Sequence, residues 1–243
     1  MQLPLDCGYD VLAVSSARED CMVFSRREFI GATAASMLAA ASPDFLSRSQ
    51  LRAQTTRTPD EALKELMDGN ERFAAGRMVS IEHDLQLLKE RTVDKQEPHS
   101  AVLACADSRV PVELIFDETI GQIFVTRVAG NILTPEIIGS LEYGAAVLGI
   151  KVILVLGHAN CGAVKAAIQG KAVPGQISSL FPHIQPAIDQ AGSDLAAVTK
   201  ANAEIQAKLL SESSPVIAPM VKDGKLKVVA GVYTLATGRV TLS

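Results

Sequence analysis

The sequence predicts an α/β fold, a central and mainly parallel β-sheet flanked by helices. Three observations point there. The runs AVLACA (101–106), QIFVTRV (122–128) and KVILVLG (151–157) are short, apolar and rich in β-branched residues, as fully buried parallel strands are. A helical segment lies between the second and third runs and another follows the third, and strand–helix–strand at this spacing calls for right-handed crossovers. The 243 residues, 48% apolar and 21% charged, are enough for a sizeable core and exclude disorder throughout.

In chain order, residues 1–54 stand apart from the domain expected at 55–243. SRREFIG (25–31) leads into a small-residue, uncharged run that ends near Ala41. Positive charge followed by a short apolar stretch reads as a signal peptide, too short to span a membrane. The pair Arg26–Arg27, between Ser25 and Phe29, resembles a twin-arginine export signal. Cleavage is expected between Ala41 and Thr56. Because a signal's charged region begins close to the start of a chain, Met22 stands beside Met1 as an alternative initiator. The alternative, a buried 13-residue helix, fits less well with the polar linker SPDFLSRSQLRAQTTRT that follows.

From Thr58 the helical signals begin. Thr58 is an N-cap candidate, Pro59 suits the first helical position, and acidic residues fill the first turn. Leu63, Leu66, Met67, Asn70 and Phe73 then recur at helical spacing. A second amphipathic stretch covers about 82–92. Both suit helices packed outside a sheet or against a partner subunit. PEIIGSLEYGAAVLG predicts a helix from Pro135, and CGAVKAAIQG another that ends at Gly170. Helices are also expected over 176–191, 193–211 and 215–222. The tail LKVVAGVYTLATGRVTLS reads as a hairpin turning at Thr237–Gly238.

Charge and composition narrow the function. Lys+Arg number 23 against 27 Asp+Glu, a net charge of −4, so no basic face for a phosphate backbone is expected. With no Trp and 4% aromatic residues, base-stacking platforms are not expected either. No G-x-x-x-x-G-K-[ST] loop occurs.

The chemistry concentrates in CADSRV (105–110) and GHANCG (157–162), each placed where an apolar strand ends. Ligands of open α/β sheets gather at the carboxyl ends of parallel strands. If the two strands are neighbours, Cys105, Asp107, His158 and Cys161 converge. Two thiolates and an imidazole suit Zn²⁺ and neutralise its charge. His158 and Cys161, three apart, can face one ion from the start of a helix, where the backbone favours thiolate. Asp107 is the fourth candidate ligand, and Arg109 can draw it off the metal in a bidentate bond, leaving room for water. Each piece alone has a plainer reading: a core histidine, a small apolar cysteine, a structural ion pair. Their conjunction favours the metal, since both cysteines outside the signal region take part.

These motifs, C-x-D-x-R and H-x-x-C, within ACADSRVPVELIFD, GQIFVTRVAGNIL and SLEYGAAVLGIKVILVLGHANCGAVKAAI, resemble the β-class carbonic anhydrases over about residues 58–243. The resemblance implies a lyase that reversibly hydrates CO2 to bicarbonate and a proton. It implies zinc on Cys105, His158 and Cys161, and an Asp107–Arg109 catalytic dyad whose aspartate in some members moves onto the metal. It also implies a homodimer or higher even-numbered assembly, with N-terminal helices extending to the partner. Three positions depart from the family's common residues: Glu118, where a substrate-bonding glutamine is frequent, and also Gln122 and Val128.

Several residues have two readings. Gly130–Asn131 either bends backbone toward the pocket or forms an ordinary turn. Gly162 either permits close approach to the site or eases a helix start. His83, His99 and His183 are expected on the surface, Tyr143 in the core or an interface, and Arg127 paired with a carboxylate. Alternative functions keep the same site: hydrolysis of carbon disulfide or carbonyl sulfide, or non-catalytic zinc or anion binding with Asp107 permanently on the metal. A thiol-redox role for Cys105 and Cys161 lacks a C-x-x-C motif. Export of folded, metal-loaded protein would shield both thiols from oxidation, so a periplasmic or otherwise extracytoplasmic location is expected.

Overall fold

A computed structural model describes residues 55–80, 89–90 and 92–243. The expected export signal, Cys7, Cys21, His83 and most of the stretch at 82–92 lie outside the described residues.

The sheet has five strands: β1 (Ser100–Ala104), β2 (Ile123–Arg127), β3 (Val152–His158), β4 (Lys227–Thr234) and β5 (Arg239–Leu242). Their order is β2-β1-β3-β4-β5. The first four run parallel, and β5 returns antiparallel to β4 through the turn at Gly238, whose φ is 71°. β1 and β3 are buried along their whole lengths, as their composition predicts. β2 differs from expectation: Ile123, Phe124 and Val125 are half-buried and Arg127 is exposed. It is an edge strand, so only one side of it is paired.

Alternate residues of the central strands feed two cores. Val102, Ala104, Leu154 and Leu156 pack with Ala62 and Leu66 of α1 (Pro59–Ala74). Thr58 caps α1 in a reciprocal box with Glu61, and Pro59 begins the helix. Asn70, buried in that helix, donates to the Ile115 and Gly238 carbonyls and accepts from the Val240 N–H. It ties α1 both to α2 (Val112–Ile115) and to the β4–β5 hairpin.

On the opposite face, Ala101, Leu103, Ile153 and Val155 pack against three helices. These are α3 (Pro135–Tyr143), α6 (Leu195–Ser213) and α7 (Ile217–Lys222). α3 continues as a wider π-type turn over Gly144–Leu148 and stops at Gly149, with φ 73°. α4 (Gly162–Gln169) ends on Gly170 with φ 59°, as expected. A 3-10 turn (Gly175–Leu180) leads into α5 (Phe181–Ala191) where one continuous helix was expected. Among the described residues no helix is long and apolar enough to cross a membrane.

Candidate active site

The register of the sheet assembles the site. Ala104 of β1 lies opposite Leu156 of β3, so Cys105, one step past the strand, is level with the last turn of β3 and His158. After His158, Asn160 adopts φ 56°, and the chain turns so that Cys161 is the N-cap of α4. All three residues are buried. The two sulfurs stand 4.0 Å apart, and the ligand atoms of Cys105, His158 and Cys161 all lie within 4.8 Å of one another. Ile132, Val164 and Ile184 pack around the sulfurs.

The donor set fits zinc. Two sulfurs held tetrahedrally at about 2.3 Å from one ion would be about 3.8 Å apart, close to the observed spacing and far from a disulfide bond. His158 places Nδ1 3.0 Å from the Ala159 carbonyl. With Nδ1–H donating there, Nε2 presents a lone pair, and that buried atom has no hydrogen-bond partner among the described residues. A histidine oriented by its own backbone and left unsatisfied at the other nitrogen is poised as a metal ligand.

The electrostatics agree. A hydrogen bond from Cys161 holds the Cys105 thiol far below its ordinary range, with further help from His158 and from the Gly130 N–H, 3.3 Å from Cys105 Sγ. Cys161, facing that thiolate and buried, is pushed upward. Burial opposes charging His158, but the Cys105 thiolate beside it, the Ala159 carbonyl and the Asp107 charge outweigh it and raise the ring's pKa. A divalent ion would replace the shared proton and relieve the conflict between the two sulfurs.

Asp107 lies beside this triad, its Oδ2 3.8 Å from His158 Nε2. The Arg109 guanidinium grips both its oxygens, at 2.9 and 2.7 Å, and the Arg109 backbone N–H adds a third bond at 2.9 Å. Those bonds hold the carboxyl well below the usual carboxylate range despite partial burial. All five expected site residues therefore meet at one end of the sheet.

Other expectations change. Among the described residues Arg127 pairs with no carboxylate; it donates to the main-chain carbonyls of Cys105 and Asp107. The structure brings them together because Arg127, the last residue of β2, lies level with Ala104, next to Cys105. Gly130 takes the pocket reading. Its φ is 80°, it donates to Cys105 Sγ, and a Cβ there would press on Ile184 Cδ1 at 3.1 Å. Gly162 takes the helix-start reading, since a Cβ there would meet nothing within 4 Å. His99 is buried, not exposed, and bonds Glu118 at the other end of β1. His183 is exposed as expected, and Tyr143 is 47% exposed and packs on Phe124.

Comparison with known proteins agrees with this geometry. The family model described as "Carbonic anhydrase" matches residues 100–240. Carbonic anhydrase 2 of Mycobacterium tuberculosis is 36% identical over 195 residues, covering 76% of this chain and 92% of that protein. The carbonic anhydrase of Mycolicibacterium smegmatis is 35% identical over 197 residues, covering 76% and 93%. Among solved structures, the β-carbonic anhydrase CcaA superposes with a TM-score of 0.60 at 26% identity, covering 74% of this chain and 86% of that one.

Proposed function

The chain belongs to the β-class carbonic anhydrase family, and we propose that it is a zinc enzyme that hydrates CO2 to bicarbonate and a proton with Cys105, His158 and Cys161 as metal ligands. The observation that carries this reading is the buried, unpartnered Nε2 of His158 facing two cysteine sulfurs 4.0 Å apart. Zinc, when bound, supplies the Lewis acidity that brings the ionisation of water to about pH 7.

The remaining work falls to Asp107 and Arg109. With its carboxyl held so low, Asp107 stays ionised and is an acceptor only. It therefore takes a hydrogen bond from the attacking water and orients it, without removing its proton. Arg109 fixes the carboxylate's plane through two parallel bonds and places positive charge where the bicarbonate anion develops. Both Asp107 oxygens are engaged by Arg109, which supports a site open to solvent over one closed by the carboxylate. Gly130 and Arg127 position Cys105 and Asp107 through the backbone.

Two substitutions test the division of labour. Cys161→Ser should lose stoichiometric zinc and activity together. Asp107→Ala should keep zinc and lower kcat on the order of 100-fold. Full CO2 hydration by a metal-free preparation, or an Asp107→Ala enzyme with undiminished kcat, would refute the reading.

We also propose that Arg26–Arg27 direct export of the folded, zinc-loaded protein to an extracytoplasmic compartment, and that the chain works as a homodimer or larger even-numbered assembly. The half-buried edge strand β2 and the exposed Tyr143 beside it support a partner surface there.

A further inference from the structure

At the opposite end of β1 from Cys105 stands a second cluster of ligand-type side chains: Glu65, His99 and Glu118. We propose that it is a second divalent-cation site, taking Zn²⁺ or an ion of similar preference, which pins α1 to the sheet.

The three residues come from three separate elements. Glu65 projects from α1, His99 immediately precedes β1, and Glu118 follows α2. Their ligand atoms lie within 4.8 Å of one another. His99 is fully buried and its backbone is fixed on both sides, its N–H donating to the Gln122 carbonyl and its own carbonyl accepting from the Lys151 N–H. Its Nδ1 is 2.8 Å from Ser100 Oγ and its Nε2 is 3.2 Å from Glu118 Oε1. With Nδ1–H donating to the serine, Nε2 would present a lone pair to a carboxylate oxygen, an arrangement that needs a proton or a cation between them.

The dimensions suit an ion. Two N/O ligands at about 2.1 Å from a tetrahedral centre are about 3.4 Å apart, and the His99–Glu118 pair already has nearly that spacing. Glu65 must approach further. It is a partly exposed helix side chain whose two oxygens both accept from Arg57, itself 39% exposed, so one of those two bonds must be given up to the ion. A carboxylate has enough lone pairs to keep one oxygen on Arg57 and turn the other to the ion. Two carboxylates balance the charge of a divalent cation, and one nitrogen with oxygens favours zinc, cobalt or manganese over calcium. Six residues at ~3.3 Å each put this cluster roughly 20 Å from Cys105, so its occupancy does not depend on the first site.

Equilibrium dialysis of the full-length holoenzyme against buffered Zn²⁺, with zinc per chain measured by mass spectrometry, tests the proposal. Wild type should hold one equivalent more than either Glu65→Gln or the near-isosteric Glu118→Gln. Glu65→Gln, on the surface of α1, should retain CO2 hydration, which shows that the first site is intact. If either variant binds as much zinc as wild type, the proposal is overturned.

Discussion

The carboxyl of Asp117 is buried, yet it stays charged at neutral pH. Burial alone would raise its pKa, but Arg72, Ser80 and the Val79 N–H outweigh that and hold it at about 2. The residue sits at φ 50°, a conformation that Asp and Asn tolerate better than most. Because the folded-state pKa lies below the unfolded one, the resulting stability is present above about pH 4 and is lost as pH falls toward 2. Its size is about 2 kcal/mol, at 1.36 kcal/mol per pKa unit. Asp117→Asn should therefore lower stability at pH 7, by urea unfolding, and the gap to wild type should narrow steadily between about pH 4 and pH 2. A gap independent of pH would contradict this. Asp107 uses the same device for another end, since its arginine clamp keeps a carboxylate ionised beside two cysteines.

At the scale of elements, α1 meets α2 more closely than any side chain allows. A Cβ on Gly69 would stand 1.8 Å from the Phe116 carbonyl oxygen, which is backbone and cannot rotate away. Gly69→Ala should cost about 3 kcal/mol and lower Tm by about 6–12 °C, measured by calorimetry; an unchanged Tm would mean that α1 does not seat on α2 this way. Such contacts explain what could be read from the sequence. β1 and β3 were legible because both their faces are covered, and burial on both faces leaves an unbroken apolar run. β2 has the same composition, but its edge position follows from the strand order, which no local pattern encodes. The candidate ligands Cys105, His158 and Cys161 were legible because each lies at or just past a strand end in a short motif. The bonds of Arg127 were not, since its acceptors are main-chain carbonyls with no residue signature. His99 read as a surface residue because its burial comes from pairing with segments on either side of it.

Over the whole molecule, the parallel sheet separates two ends. The carboxyl ends of β1 and β3 hold the zinc-type donor set, while the amino end of β1 carries the Glu65–His99–Glu118 cluster. A thiolate site that closes only when β1 and β3 are paired would have to be built before an exported chain left a reducing compartment, which is the physical case for the proposed export in the folded state. Replacing Arg26 and Arg27 together by lysine should leave active enzyme in the cytoplasm, assayed by cell fractionation; unchanged export would exclude this route. The account as a whole rests on the identity of the atoms around the metal. X-ray absorption at the zinc edge, on full-length protein carrying one zinc per chain, measures them directly. It should show two sulfurs at about 2.3 Å and light-atom ligands at about 2.0–2.1 Å; a shell of nitrogen and oxygen alone would contradict it.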